Sequence, residues 1–177
     1  MKKTSVKHLV MAALCLALAL VLPFLTGQIP QIGSMLAPMH IPVLLAGFVC
    51  GPWWALAVGL IAPPLRFVLF SMPPFPAYVS MAFELATYGL VAGLLYKYLP
   101  KKTSNIYVSL IGAMLAGRVV WGVAMVVIMG MKGNPFGWAA FVSGAFGGAI
   151  PGIILHIVLI PVLVLALQKA GYFRDQE

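Results

Sequence analysis

The sequence predicts an all-α membrane protein with six transmembrane helices and both termini in the cytoplasm. Of its 177 residues, 63% are hydrophobic and only 8% are charged, whereas a soluble domain carries roughly 25% charged residues. The basic residues fall almost entirely in short segments between long apolar stretches. A nucleic-acid-binding module would instead cluster them on a soluble face. The composition therefore excludes a soluble enzyme, a disordered chain and a nucleic-acid partner.

Hydropathy and helix-breaking residues divide the chain into six spans that form one integral membrane domain, 1–177. One spanning helix needs about 20 apolar residues. The predicted ranges are 6–25, 35–51, 53–70, 77–98, 106–131 and 145–168.

The first span follows Lys2, Lys3 and Lys7, as the apolar core of a signal peptide would. The triplet that resembles a cleavage site, 17–19, lies inside the apolar run rather than after it. A retained first span is therefore the preferred interpretation.

The second span has an open boundary. Its apolar run ends at Gly51-Pro52 and is too short to cross the membrane if it starts at Ile41, so the span either begins near Met35 or reaches only half depth. The later spans are separated by the proline-rich segment 71–76, by 99–105 and by 132–144.

The charge distribution supports an even number of spans. Eight basic residues lie at the two termini and in the fourth connection, and only Lys132 lies on the other side. By the positive-inside rule, both termini are then cytoplasmic. The first outer connection, 26–38, is uncharged and rich in glycine and proline. It either joins two helices or forms a lid over an outward-facing cavity.

Three formal charges interrupt the apolar spans: Arg66, Glu84 and Arg118. An unpaired charge inside the membrane costs about 3 kcal/mol or more, so such residues face the bundle interior and have a partner. Glu84 can neutralise only one arginine. Two interpretations stay open: a structural ion pair, with Arg66 extending toward the headgroups, or a cationic cavity completed by an anionic ligand.

Further candidates for a ligand site lie near the predicted outer mouth. His40 and Asn134 supply polar groups, and Tyr88 and Trp121 supply aromatic surface. The simpler explanation for the two aromatic residues is an aromatic belt at the membrane interface. His156 is expected to be a hydrogen-bonded core residue. No catalytic set, metal-ligand spacing or nucleotide-binding loop occurs in the sequence, and Cys15 and Cys50 are expected to be buried small hydrophobes.

Small residues recur at four-residue spacing, as in Ala13 and Ala17, Gly89 and Gly93, and Gly144 and Gly148, then Gly152. Such pairs allow close approach of another helix. From the spacing alone, packing within the bundle is a better explanation than an interface with a partner protein.

Three segments carry a family resemblance. The first segment is SMLAPMHIPVLLAGF at residues 34–48, which Gly51-Pro52 follows. The second is PPLR at residues 63–66, and the third is AFELATYG at residues 82–89. Together they resemble the substrate-binding S components of energy-coupling factor (ECF) vitamin transporters, over nearly the whole chain.

The resemblance implies a six-helix S-component bundle in the cell membrane of a bacterium, without cofactor or enzymatic activity. It implies a vitamin site near the outer surface under the loop between the first two helices. The expected partners are a transmembrane coupling protein, two cytoplasmic ATPases and the lipid bilayer. The family's docking motif on the first helix matches Ala13 and Ala17, which favours the partner interface for this pair.

The predicted substrate-binding residues are Arg66, Glu84, Arg118, His40, Asn134, Tyr88 and Trp121. The pattern around His40 and Arg66 looks most like members assigned to pantothenate, whose carboxylate suits a cationic cavity. Pyridoxine-like, pyrimidine and folate vitamins remain alternatives. An ion-coupled transporter using Glu84, and an intramembrane enzyme using His40 and Glu84, are the competing function classes.

Overall fold

In the computed structural model, which describes residues 3–26, 29–134 and 136–172, all the regular elements are helices. A 3-10 turn, Leu22–Thr26, continues the first helix, and a π-helical turn, Ser143–Gly147, follows the seventh. The eight α-helices are α1 (Lys3–Val21), α2 (Pro30–Leu36), α3 (His40–Val49), α4 (Pro52–Phe70), α5 (Ala77–Tyr98), α6 (Thr103–Met131), α7 (Trp138–Val142) and α8 (Ile150–Lys169).

Five segments are long and apolar enough to cross a membrane: Val6–Thr26, Pro52–Phe70, Ala77–Tyr98, Thr103–Met131 and Ile150–Lys169. They correspond to the first, third, fourth, fifth and sixth predicted spans. At about 1.5 Å per residue, each is comparable in length to the hydrocarbon layer, about 30 Å thick. The described chain is therefore an all-helical protein suited to a bilayer.

The predicted segment 35–51 is divided between two helices. α2 ends at Leu36, and Ala37 takes a left-handed conformation with φ of 46°. α3 then runs for 10 residues, about 15 Å, and is too short to span a bilayer alone. The helix break coincides with Pro38, since a residue before proline is disfavoured in the right-handed helical region.

Glycines allow α3, α4 and α5 to pack with their backbones in close contact. A Cβ at Gly47 would lie 2.8 Å from the carbonyl oxygen of Gly89, and one at Gly89 would lie 2.7 Å from the backbone of Ala55. Gly93 packs equally closely on Pro52. Gly89 and Gly93 thus serve packing within the bundle, as the spacing favoured.

The side chains around these crossings form the core of the bundle. Val43, Leu44 and Phe48 of α3 meet Leu85 and Tyr88 of α5, and each is at most 1% exposed. Cys15 and Cys50 are free and buried. This core positions the first turns of α3 and α5, where polar side chains gather.

Candidate functional site

A cavity of about 500 Å³ opens at the end of the bundle remote from Lys97 and Lys101. It is lined by residues from several segments between 23 and 149: Pro23, Thr26, Ile29, Gly33, Ala37, Pro38, Met39, His40, Arg66, Met72, Pro73, Pro74, Ala77, Met81, Glu84, Arg118, Trp121, Ser143, Gly144, Gly148 and Ala149. Ligand pockets of small molecules occupy roughly 300–1,000 Å³. The cavity therefore has room for a small organic molecule.

Glu84 and Arg118 form a buried ion pair on the cavity wall. Nη1 of Arg118 lies 3.0 Å from Oε1 of Glu84, and the two side chains are only 12% and 2% exposed. α5 supplies Glu84 about two turns after its start at Ala77. Of the two pairings that the sequence left open for Glu84, the structure has the one with Arg118.

Two neighbours fix the position of this pair. The Tyr88 hydroxyl donates a hydrogen bond to Oε1 of Glu84 at 3.0 Å from the next turn of α5. Gly117 packs directly against the Tyr88 ring and the Glu84 backbone, leaving no room for a side chain. The close approach of α6 to α5 at this glycine brings Arg118 to Glu84. Tyr88 is 1% exposed and is not among the cavity-lining residues, so it supports Glu84 from behind.

His40, the first residue of α3, lies beside the ion pair. Its Nε2 is 3.7 Å from Oε1 of Glu84, and its ring meets the edge of Tyr88 at 5.3 Å between centroids. Among the described residues, both ring nitrogens of His40 and Nε of Arg118 are buried without a hydrogen-bond partner. A buried polar atom without a partner costs about 1–3 kcal/mol. These atoms are thus groups that a bound polar molecule can satisfy.

Arg66 lines another part of the cavity. It is 3% exposed, and its guanidinium donates to the backbone carbonyl of Leu20. The rings of Phe24 and Phe70 lie 5.0 and 5.2 Å from its Cζ. Among the ion pairs of the described residues, none joins Arg66 to a carboxylate.

The remaining two predicted residues differ in location. Trp121 lines the cavity beside Arg118, one turn further along α6. Its ring packs on Gly144 of the π-helical turn, where a Cβ would lie 2.7 Å from the indole. Asn134 is exposed in the connection between α6 and α7 and does not line the cavity.

The charges of the lining residues do not cancel. Arg66 and Arg118 bring two positive charges and Glu84 brings one negative charge, so the cavity carries a net charge of +1 with histidine neutral. Most of the other lining residues are apolar or are prolines and glycines. An apolar pocket with a few fixed polar groups orients a small ligand, and the excess positive charge favours one that bears an anionic group.

Several lining residues were not predicted from the sequence. Met39 and Met81 supply apolar walls, and Ser143 and Ala149 supply the side next to α8. Apolar residues in a membrane protein carry no signal that separates a cavity wall from a lipid-facing surface.

In the described residues, no group of three or more His, Cys, Asp or Glu side chains is arranged to hold a metal ion.

The predicted docking residues lie away from the cavity. Ala13 and Ala17 are exposed on α1, whereas Ala12, Cys15 and Ala19 of the same helix are buried in the bundle. The surface that Ala13 and Ala17 share is therefore open to lipid or to another protein.

Comparison with known proteins gives one match. A family model described as "ECF transporter, substrate-specific component" matches residues 7–164, which include every lining residue of the cavity. No curated protein and no solved structure matches the chain.

Proposed function

Because the chain belongs to the family of ECF transporter substrate-specific components, we propose that its cavity is the binding site for a small vitamin. Members of this family are substrate-binding transporter subunits rather than enzymes. The proposed contacts to the vitamin come from Arg66, Arg118, Glu84, His40 and Trp121. Tyr88 supports Glu84, and Asn134 contributes only if its connection moves toward the cavity.

The single observation that carries this proposal is the cavity itself. It combines about 500 Å³ of space, a buried ion pair and buried polar atoms that have no hydrogen-bond partner among the described residues. A purely structural ion pair would not need the additional unpaired ring nitrogens of His40, nor a second arginine in the same cavity.

Pantothenate is the proposed substrate. Its carboxylate matches the net positive charge of the cavity, and its hydroxyl and amide groups match the polar atoms of His40 and Arg118. Pyridoxine-like and pyrimidine vitamins would leave the positive charge without a partner. Folate is anionic, but it is a large molecule for a cavity of this volume.

The proposed topology has six spans and cytoplasmic termini in the cell membrane of a bacterium. The second span consists of α3 together with the segment before it, because α3 alone is too short to cross the bilayer. Lys97, Lys101 and Lys102 then face the cytoplasm, and the cavity faces the outside. The proposed partners are a transmembrane coupling protein, which contacts Ala13 and Ala17, and two cytoplasmic ATPases that supply the energy.

Uptake into proteoliposomes tests this function. With labelled pantothenate, the chain alone is expected to bind but not accumulate it, and the chain with a coupling protein and its ATPases is expected to accumulate it when ATP is supplied. Accumulation by the chain alone, driven by a proton or sodium gradient and lost in Glu84→Gln, would instead establish an ion-coupled transporter.

A further inference from the structure

Two buried residues of α8 contact the junction between α2 and α3. Gly152 and His156 are four residues apart, so they lie on the same face of α8. Both are buried, and neither is among the lining residues of the cavity. No role in binding has been assigned to either so far.

Gly152 contacts the carboxyl end of α2. A Cβ at this position would lie 2.5 Å from the carbonyl oxygen of Met35 and 3.1 Å from that of Leu36. Real Cβ atoms do not approach an oxygen this closely, so only glycine permits the observed distance between α8 and α2. The end of α2 therefore lies directly on the backbone of α8.

His156, one turn further along α8, contacts both sides of the α2–α3 junction. Its imidazole lies beside the backbone of Ala37, the left-handed residue that ends α2. Its ring also stacks on His40, with 5.8 Å between centroids and 20° between planes. His40 in turn lies beside Glu84 in the cavity. One side chain thus joins the end of α2 to a cavity residue.

We propose that Gly152 and His156 form an anchor that holds α2 over the cavity and fixes the orientation of His40. Ile29 and Gly33 of this segment line the cavity, so any movement of α2 changes how closely the cavity is covered. His156 is in this view a positioning residue, which acts on the ligand through His40 and α2. The effect on ligand retention rests on the proposed vitamin-binding function; the effect on α2 does not.

Four variants separate the contacts. Gly152→Val introduces a side chain against Met35 and Leu36. His156→Phe keeps a ring that can stack on His40 but removes the ring nitrogens beside Ala37. His156→Gln keeps a polar group without the ring. Val158→Phe is the matched control, because Val158 is 61% exposed on the same helix.

Hydrogen–deuterium exchange of the ligand-free protein in detergent provides the first readout. In Gly152→Val and His156→Phe, residues 29–39 should exchange roughly 2- to 10-fold faster, the range that loss of one polar or packing contact of about the strength of a hydrogen bond implies. Residues 77–98 of α5 should exchange at the wild-type rate. His156→Gln should restore part of the protection, and Val158→Phe should behave as the wild type.

The dissociation rate of pantothenate provides the second readout. It should rise by a similar factor in Gly152→Val and His156→Phe, with little change in the association rate. Unchanged exchange of residues 29–39 in both variants would overturn the anchor. Equally faster exchange throughout the protein would also overturn it, because the two residues would then serve packing in general. If pantothenate fails to bind the wild type, the substrate assignment fails, while the exchange result still decides on the anchor.

Discussion

The two arginines of the cavity are held in different ways, and this difference assigns them different roles. Arg118 is paired with Glu84 at 3.0 Å, so most of its charge is already compensated. Arg66 contacts a backbone carbonyl and two aromatic rings, none of which carries a full negative charge. A ligand carboxylate therefore gains most from Arg66, and the neutral polar groups of a ligand suit the Glu84–Arg118–His40 cluster.

Replacing Arg66 tests this division of roles. Arg66→Ala should weaken pantothenate binding by about 10- to 150-fold, which corresponds to the roughly 1.5–3 kcal/mol of a hydrogen bond to a charged group. Arg66→Lys should be intermediate, since lysine keeps the charge but not the planar group that lies against the rings of Phe24 and Phe70. Isothermal titration calorimetry in detergent gives the dissociation constants.

The control for this substitution is Lys132→Ala, which removes a positive charge that does not line the cavity. It should leave the dissociation constant unchanged. An equal loss in Lys132→Ala and Arg66→Ala would mean that the general positive potential, rather than a contact to Arg66, attracts the ligand.

Removing the negative charge of Glu84 should destabilise the protein. Glu84→Gln leaves Arg118 buried without its counter-charge, and breaking a buried pair from one side costs about 3–5 kcal/mol. The double variant Glu84→Gln/Arg118→Gln should recover part of this loss because no charge is left unpaired. Thermal unfolding of the ligand-free protein measures both, and a double variant no more stable than Glu84→Gln would contradict the pairing.

At the scale of the helices, the site depends on backbone contacts made possible by glycines. Gly47 sets the distance between α3 and α5, and Gly117 sets that between α5 and α6. These three helices carry His40, Glu84 and Arg118, respectively. Any increase in the helix separations would move the three polar side chains apart.

Gly47→Val tests the α3–α5 contact. The added side chain would collide with the carbonyl oxygen of Gly89, because even a Cβ at this position would lie only 2.8 Å from it. Overpacking of this kind costs about 1–3 kcal/mol or more. We expect a lower unfolding temperature and weaker pantothenate binding. Gly130→Val is the matched control, since nothing lies within 4 Å of a Cβ at Gly130, and it should unfold at the wild-type temperature.

The sequence predicts the long helices and the charged residues of the site better than it predicts their contacts. Glu84 and Arg118 stand out because charges inside apolar spans are rare and need partners. The partners of Arg66 could not be predicted, because a backbone carbonyl and two rings leave no pattern in the sequence. The break at Ala37 and the helical conformation of α2 also escaped prediction, since a short helix of seven residues has too few positions for a periodic signal.

At the scale of the whole molecule, the cavity and the exposed small-residue surface of α1 are separate features. The cavity-lining residue nearest in sequence to Ala13 and Ala17 is Pro23, beyond the end of α1. Binding of the vitamin and docking of the coupling protein should therefore be separable by mutation.

Ala17→Trp tests this separation. It should leave the dissociation constant for pantothenate unchanged, because the side chain points away from the bundle. ATP-dependent uptake with the coupling protein and ATPases should fall to background, because a large side chain prevents close helix contact. Val123→Trp, at an exposed position of α6, should retain uptake, and uptake by Ala17→Trp at the wild-type rate would remove Ala17 from the interface.

The proposed function requires that the cavity bind one small anionic vitamin. Native mass spectrometry of the detergent-purified chain, incubated with an equimolar mixture of pantothenate, pyridoxine and folate, measures this binding directly. We expect a single adduct with the mass of pantothenate at one molecule per chain, with a clearly smaller bound fraction in Arg66→Ala but not in Lys132→Ala. Binding of pyridoxine alone, or an undiminished bound fraction in Arg66→Ala, would overturn the proposal.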